Sequence, residues 1–378
     1  MPIESDCTAL ERTSNLADYA QAPLARSIVR VDQRERPYAG RAGYPLITIG
    51  VPTRNRSALL KKCLESIFAQ SYQNIEVLVS DNASTDDTLE VLQSVDDSRL
   101  RILSNPEDIG ASENFANCVR EARGDYLVLV SDDNTLDPLF LEKSARLIRQ
   151  APGLPIVLAA FDIAVLNEFH RHQRRIVPGS LSRTLSTGIW GGTELLKECF
   201  TGRLTAAPLS VVVRTDLMRE SHLFSSGYQC AADTGWFQAL LEGQAGLINE
   251  RCAVYLVHDS AISAGISPDI RVREYCNSMR EFSAALERKI SDIATRKQVQ
   301  VLIAKYLVLQ IMITLVLYRR AGASLADVVG KLRSWRPILQ RCPWRDAISI
   351  LRLRSVARIL LPLAAARWSI ALGLDKLV

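Results

Sequence analysis

The chain lacks the features that would place it in several common classes. Its eight cysteines (7, 63, 118, 199, 230, 252, 276 and 342) are scattered, and none forms a CxxC pair. That excludes a zinc ribbon and a small disulfide scaffold, and leaves free thiols in a reducing cytoplasm as the expectation. No GxGxxG follows the first apolar strand, which disfavours a dinucleotide-dependent dehydrogenase. No zinc, RNA-binding or helix-turn-helix signature is found, so nucleic acid is not expected as a partner. The opening MPIESDCTALERTSNLADYAQ has no apolar core of a secretory signal, and a cytoplasmic protein is expected. Internal repeats and low-complexity tracts are absent.

What the chain does have is apolar content and an uneven charge. Hydrophobic residues make up 48% of the 378 and charged residues 23%, enough for one large domain with an appendage or for two domains. The net charge of +5 conceals a basic tail: from Arg319 to Val378 there are twelve Lys or Arg against three acids (Asp327, Asp346 and Asp375). A basic tail on a mildly acidic body points to an anionic surface. Because the tail is also rich in Leu, Ile and Val, lipid headgroups fit better than nucleic acid.

Residues 1–44 carry little periodicity and read as an N-terminal extension. Organised structure begins at YPLITIGVPTRN, where β-branched alternation marks a strand that Pro52 and Asn55 end. RSALLKKCLESIFAQS follows with apolar residues at helical spacing. IEVLVSDNAS is a second strand, TDDTLEVLQSV a helix capped by Thr85 or Asp86, and LRILSN a third strand. ASENFANCVREAR is a helix and YLVLVSDD a fourth strand. This alternation implies a mostly parallel sheet covered by helices, an α/β fold. Ligands of such sheets sit beyond the carboxyl ends of the strands, which places Thr53, Asp81 and Asp132–Asp133 on one rim. Beyond residue 150 the pattern is mixed: AADTGWFQALLEG reads as a helix, RCAVYLVHDSAISAG as a strand into a loop, and the chain from about 271 as helical.

The stretch YLVLVSDDN carries the chemistry. Five apolar residues lead into two adjacent carboxylates, a costly arrangement unless a cation compensates it. A hard divalent ion, Mg²⁺ or Mn²⁺, takes one or two carboxylates plus phosphate oxygens of a substrate. The bland alternative is that Asp132 and Asn134 only cap the helix of LDPLFLEKSARLIRQ.

Several motifs, in order, resemble family 2 glycosyltransferases of the GT-A fold. PLITIGVPTRNRSALLKKCLESIFAQSYQNIEVLVSDNASTDDT is similar to the family's opening, and NPEDIGASENFANCVREARGDYLVLVSDDN to its N-x-G segment, helix and acidic metal motif. AADTGWFQALLEG is similar to the helix that carries the family's catalytic base. The resemblance covers about 45–262 and implies a GT-A nucleotide-diphospho-sugar transferase domain over 45–265, followed by a helical, basic C-terminal region over 266–378. It implies that Asp81 contacts the nucleotide base with Thr53 and Arg54 beside it, that Asp132 lies near ribose and metal, and that Asp133 is the direct metal ligand. Asp233 is implied as the general base, and Trp236 as a wall of the acceptor pocket. His258 matches a position that often reaches metal or diphosphate. The sequence departs from the usual D-x-D by placing Ser131 before the pair, and has Ala232 where many relatives have Glu. Arg271 and Arg273 are candidates for a phosphate clamp or a solvated helix face. Trp190 is a candidate for the sugar pocket or the core.

The chemistry needs these parts. Attack of a hydroxyl on an anomeric carbon passes through an oxocarbenium-like state while a nucleotide diphosphate leaves. A divalent metal (Mn²⁺ or Mg²⁺) stabilises the departing charge, and a carboxylate on the opposite face takes the hydroxyl proton. The expected function is an inverting sugar transfer from a nucleotide-sugar donor; the resemblance implies a saccharide or polyprenyl-linked acceptor and bacterial cell-surface polysaccharide synthesis at the inner face of the cytoplasmic membrane. A sugar nucleotidyltransferase would need a Gly-rich, Arg/Lys-bearing loop where VPTRNRS stands. A non-catalytic nucleotide-sugar binder or membrane-anchored scaffold is the alternative of another class. The run VLIAKYLVLQIMITLVLY, 301–318, is apolar all round, with a buried core helix as the first reading and a membrane-embedded one as its rival. The Arg- and Trp-bearing helices after it suit a headgroup layer, so peripheral membrane contact is expected.

Overall fold

The computed structural model describes residues 44–165, 175–221, 228, 232–258, 266–320 and 322–340. The N-terminal extension up to residue 43 and the basic segments after residue 340 lie outside the described residues. Among the described residues, Cys63, Cys118, Cys199, Cys252 and Cys276 are free thiols.

Four strands and three helices build the first half: β1 (Ile47–Thr53), α1 (Ser57–Phe68), β2 (Ile75–Asp81), α2 (Thr88–Gln93), β3 (Leu100–Ser104), α3 (Ala111–Glu121) and β4 (Tyr126–Leu129). Strands β3, β2, β1 and β4 are neighbours and all parallel, with Thr53 opposite Asp81 in register. Beyond them come β5 (Thr135–Leu136), α4 (Phe140–Gln150), β6 (Ile156–Val165), β7 (Arg175–Val177), β8 (Gly188–Gly191) and α5 (Gly192–Phe200). Then follow β9 (Val211–Arg214), α6 (Thr215–Glu220), a 3₁₀ segment (Ala232–Glu242) and β10 (Gln244–Val257). Strand β9 is antiparallel to both β4 and β6, and β10 runs parallel to β6. The result is a mixed ten-stranded sheet ordered β3–β2–β1–β4–β9–β6–β10–β5, with β7 on β6 and β8 on β10. The carboxyl-end rim thus belongs to a real parallel block, as the alternating pattern implied.

The sheet is buried on both faces. In β1 the side chains of Ile47, Ile49 and Val51 enter the core on the α1–α4 side, while Leu127 and Leu129 of β4 enter the core on the other. Helix α3 lies so close to β1 that a Cβ at Gly50 would come within 2.9 Å of the Cys118 Cβ, so only glycine fits there.

Three local expectations change. Helix α2 starts at Thr88 with Asp87 at its N-cap, one residue after the expected cap; Asp86 instead accepts from the Thr88 and Ser57 amides. Between the acidic pair and α4 lies β5, antiparallel to β10, so Asp132 and Asn134 do not cap the helix; Asp137 accepts from the Leu139 amide there. The segment expected as an α-helix at 231–243 is the 3₁₀ segment, whose tighter turn suits a short connector.

Three helices complete the described chain: α7 (Pro268–Lys289), α8 (Ile293–Arg320) and α9 (Leu325–Gln340). The apolar run 301–318 lies inside α8. One stripe of that helix, Val299, Ile303, Ala304, Leu307, Ile311 and Leu315, is buried in the same core as β4 and β6. Its other side is half-exposed, with Val301 and Lys305 open to solvent. By length and composition α8 is the one helix among the described residues apolar enough to cross a membrane.

An aromatic knot ties these parts together. The Phe200 ring of α5 meets Phe237 of the 3₁₀ segment edge-on at 4.8 Å, Phe282 of α7 at 5.8 Å, and stacks on Tyr306 of α8 at 5.0 Å. Phe200→Ala is expected to cost about 3–5 kcal/mol in urea unfolding, because it opens a hole where four elements meet. A loss below about 1 kcal/mol would mean that α7 and α8 are not packed on the domain in solution.

Candidate functional site

The loops after β1 and β2 are laced together before any functional group is considered. Asn55 adopts φ 52 and Ala83 φ 55, the left-handed turn conformation that asparagine tolerates and alanine seldom adopts. The Asn55 amide donates to Ser84 Oγ at 2.9 Å, and the Asn55 side-chain oxygen accepts from the Thr85 amide at 2.7 Å. Asn114 of α3 is buried under both strand ends. It donates to the Ser80 carbonyl at 2.9 Å and the Thr53 carbonyl at 3.3 Å, and accepts from Ser80 Oγ at 2.6 Å. Asn82 holds the third loop, accepting from the Ile109 amide and donating to Asp108. Buried polar groups satisfied in this way fix positions more firmly than apolar contacts alone.

On that frame a continuous polar chain forms. Thr53 Oγ1 donates to Asp132 Oδ2 at 2.8 Å, and Arg56 Nη1 lies 3.1 Å from Asp132 Oδ1 and 3.3 Å from Asp133 Oδ2. His258 Nε2 lies 3.1 Å from the same Asp133 oxygen. His258 arrives there because the chain after the acidic pair doubles back along β10: Asn134 Oδ1 accepts from the Leu256 amide at 2.9 Å, next to the β5–β10 ladder. Burial pushes the Asp132 carboxyl up, to about 6, with the Asp133 charge adding to it, while Arg56 and Thr53 pull the other way.

Thr53, Asp132, Asp133 and His258, all singled out from the sequence, are therefore joined in one polar chain, with Arg56 bridging the two carboxylates. Asp81 lies beside Thr53 by strand register, 1% exposed; its Oδ2 accepts from the Ser84 amide, and its Oδ1 has no hydrogen-bond partner among the described residues. Arg54 is turned elsewhere, into an ion pair with Asp108 on the exposed lip. Asp233 lies at the start of the 3₁₀ segment, and its side chain is outside the described residues. Trp236, expected to wall the acceptor pocket, is 3% exposed, packs on Phe237 at 4.1 Å and lines an apolar pocket with Leu127, Leu129 and Met218. Trp190 pairs with Ala245 at the start of β10, thirteen residues before His258, so it belongs to the far end of that strand.

Arg56 is the residue that sequence reading passed over. Arg54 and Arg56 alternate in TRNR, and the left-handed turn at Asn55, which the sequence does not display, separates them toward different partners. The acidic pair thus already has a cation against it. Two buried carboxylates with an imidazole nearby form a donor set that suits Mg²⁺ or Mn²⁺, provided phosphate oxygens complete the shell. Among the described residues, no three His, Cys, Asp or Glu side chains form a closed metal cage by themselves.

Comparison with known proteins gives the same picture. The Glycosyl transferase family 2 model matches residues 48–205. A Campylobacter jejuni protein named GalNAc(5)-diNAcBac-PP-undecaprenol beta-1,3-glucosyltransferase is 36% identical over 95 residues, 24% of this chain and 31% of that protein. Chondroitin synthase of Escherichia coli is 37% identical over 97 residues, 25% of this chain and 14% of that protein. The matched region is thus a third or less of these relatives' own length. Among solved structures, S. aureus TarS 1–349 in complex with UDP-GlcNAc superposes with a TM-score of 0.63 at 17% identity, covering 85% of this chain and 87% of that one. The residues 48–205 that match glycosyl transferase family 2 hold β1 to β4, the acidic pair and the loops that carry Thr53 and Asp81, and the likeness to TarS gives the chain a GT-A fold.

Proposed function

We propose that the protein is an inverting glycosyltransferase that moves a sugar from a nucleotide-diphosphate donor to a saccharide or polyprenyl-linked acceptor in bacterial cell-surface polysaccharide assembly. The observation that carries this reading is the meeting of Thr53, Arg56, Asp132, Asp133 and His258 at the carboxyl ends of the sheet, with Asp81 alongside. The relatives named for transfer to an undecaprenol-linked glycan and for chondroitin synthesis, and the TarS complex with UDP-GlcNAc, support the substrate class. The transferase unit is residues 45–265, and the C-terminal region 266–378 provides peripheral contact with the inner face of the cytoplasmic membrane.

In this reading Asp81 receives the nucleotide base. Its buried, unpaired Oδ1 is an acceptor that favours a base presenting a ring N–H, as uracil and guanine do. Thr53 flanks the nucleoside and orients Asp132 toward the ribose, and Arg54 would join it there on leaving Asp108. A divalent ion, Mn²⁺ or Mg²⁺, held by Asp133 and His258 beside Asp132, would supply Lewis-acid stabilisation of the departing diphosphate. The Asp233 carboxylate takes the proton of the attacking acceptor hydroxyl, and the displacement inverts the anomeric configuration.

The first test is thermal: UDP and GDP, each with and without Mn²⁺, are expected to raise Tm by a few degrees only with the metal, since ligand at 100 times its Kd stabilises by about 2.7 kcal/mol. A metal-independent shift, or none with any nucleoside diphosphate, overturns the donor assignment. Asp233→Asn is expected to lower transfer by roughly 10²–10⁴-fold with nucleotide affinity unchanged; full turnover in that variant assigns the base elsewhere.

A third outcome follows from the raised Asp132. Its pKa in the folded protein, about 6, lies above the unfolded value of about 3.9. Stability from this group is therefore greatest below about pH 4 and is lost as pH rises through the folded pKa. Asp132→Asn carries no such charge, so in metal-free buffer it is expected to melt higher than the wild type at pH 7.5. The difference should shrink toward pH 4.5, while metal-dependent nucleotide binding is lost. A variant that melts lower at pH 7.5 would show that Asp132 is a net stabilising charge.

A further inference from the structure

The Arg56 guanidinium stands where a cation serving both carboxylates would stand. It touches Asp132 and Asp133 at once, at 3.1 and 3.3 Å, through a single nitrogen. Its side chain is 17% exposed, against 4% and 9% for the two carboxylates, so it covers them from the solvent side. Arg56 is also the N-cap of α1, directly after the left-handed Asn55, and its side chain makes no capping hydrogen bond. The guanidinium is therefore held here by the two carboxylates together with whatever else it touches, and not by the helix start.

A divalent ion and a guanidinium cannot share the same two carboxylates at contact distance without strong repulsion. If the ion binds as proposed above, Arg56 must turn outward. The species that arrives with the ion is a diphosphate, the partner that an arginine fork bonds best. We propose that Arg56 is a resident counter-cation: it neutralises Asp132 and Asp133 in the donor-free protein and exchanges them for the donor's diphosphate when the divalent ion binds. The exchange makes the ion bind weakly alone and tightly together with a nucleoside diphosphate.

This inference rests on the metal reading of Asp132 and Asp133, and the test separates the two. Mn²⁺ binding to the full chain is measured by electron paramagnetic resonance, first without nucleotide and then with UDP, for the wild type, Arg56→Gln and Arg56→Lys, with melting curves to establish folding. Arg56→Gln is expected to bind Mn²⁺ alone roughly tenfold tighter than the wild type, and UDP at saturating Mn²⁺ roughly tenfold weaker, the loss of one charge-assisted contact. Arg56→Lys keeps the charge without the fork; it should retain weak binding of Mn²⁺ alone and still lose UDP affinity. Equal or weaker Mn²⁺ binding in Arg56→Gln overturns the counter-cation assignment while leaving the metal site in place. Mn²⁺ binding in no protein, with or without UDP, removes the metal reading and this inference with it. Should Arg56→Gln fail to fold, Arg56→Lys decides by the UDP arm: unchanged UDP affinity overturns the proposal.

Discussion

Two adjacent carboxylates buried at a strand end repel each other and have lost their water, and the surrounding architecture answers that strain. Asp132 and Asp133 are 3% and 8% exposed, and a threonine hydroxyl, a guanidinium and a histidine ring nitrogen lie within hydrogen-bond distance of them. These groups come from the end of β1, the cap of α1 and the end of β10. None of these elements is a sequence neighbour of the pair. A fold that lost the parallel alignment of β1 with β4 or the return of the chain onto β10 would strand both charges.

That dependence explains why the loops around the site are so heavily cross-linked by asparagine. Asn114, Asn82, Asn55 and Asn134 each bond backbone groups of a different strand end or loop. Asparagine offers a donor and an acceptor in one planar group without adding charge. Near two carboxylates it can therefore fix the backbone without disturbing the electrostatic balance that Arg56 sets. The stiffness of the rim is thus a polar property, whereas that of the far end of the sheet is an aromatic one, centred on Phe200.

Much of this arrangement could be read in the sequence, and the reasons for the rest are specific. Hydrophobic runs ending in Thr53, Asp81 and Asp132 could be placed on one rim because parallel strands put their carboxyl ends together whatever the loops do. His258 could be marked as a strand end, but its contact with Asp133 depends on β5, two residues long, which no periodicity reveals. Arg56 was missed because a left-handed Asn55 separates its direction from that of Arg54, and φ is not written in composition.

Helix α8 has a mechanical consequence. It is tied to Phe200 and Phe237 through Tyr306 and buries its Leu307 stripe in the same core, so lipid could not surround the helix unless that knot were pulled apart. The outward stripe alone is available to acyl chains. Docking of the kind proposed would therefore be sideways and shallow, with the body of the protein riding on the leaflet like a hull at its waterline.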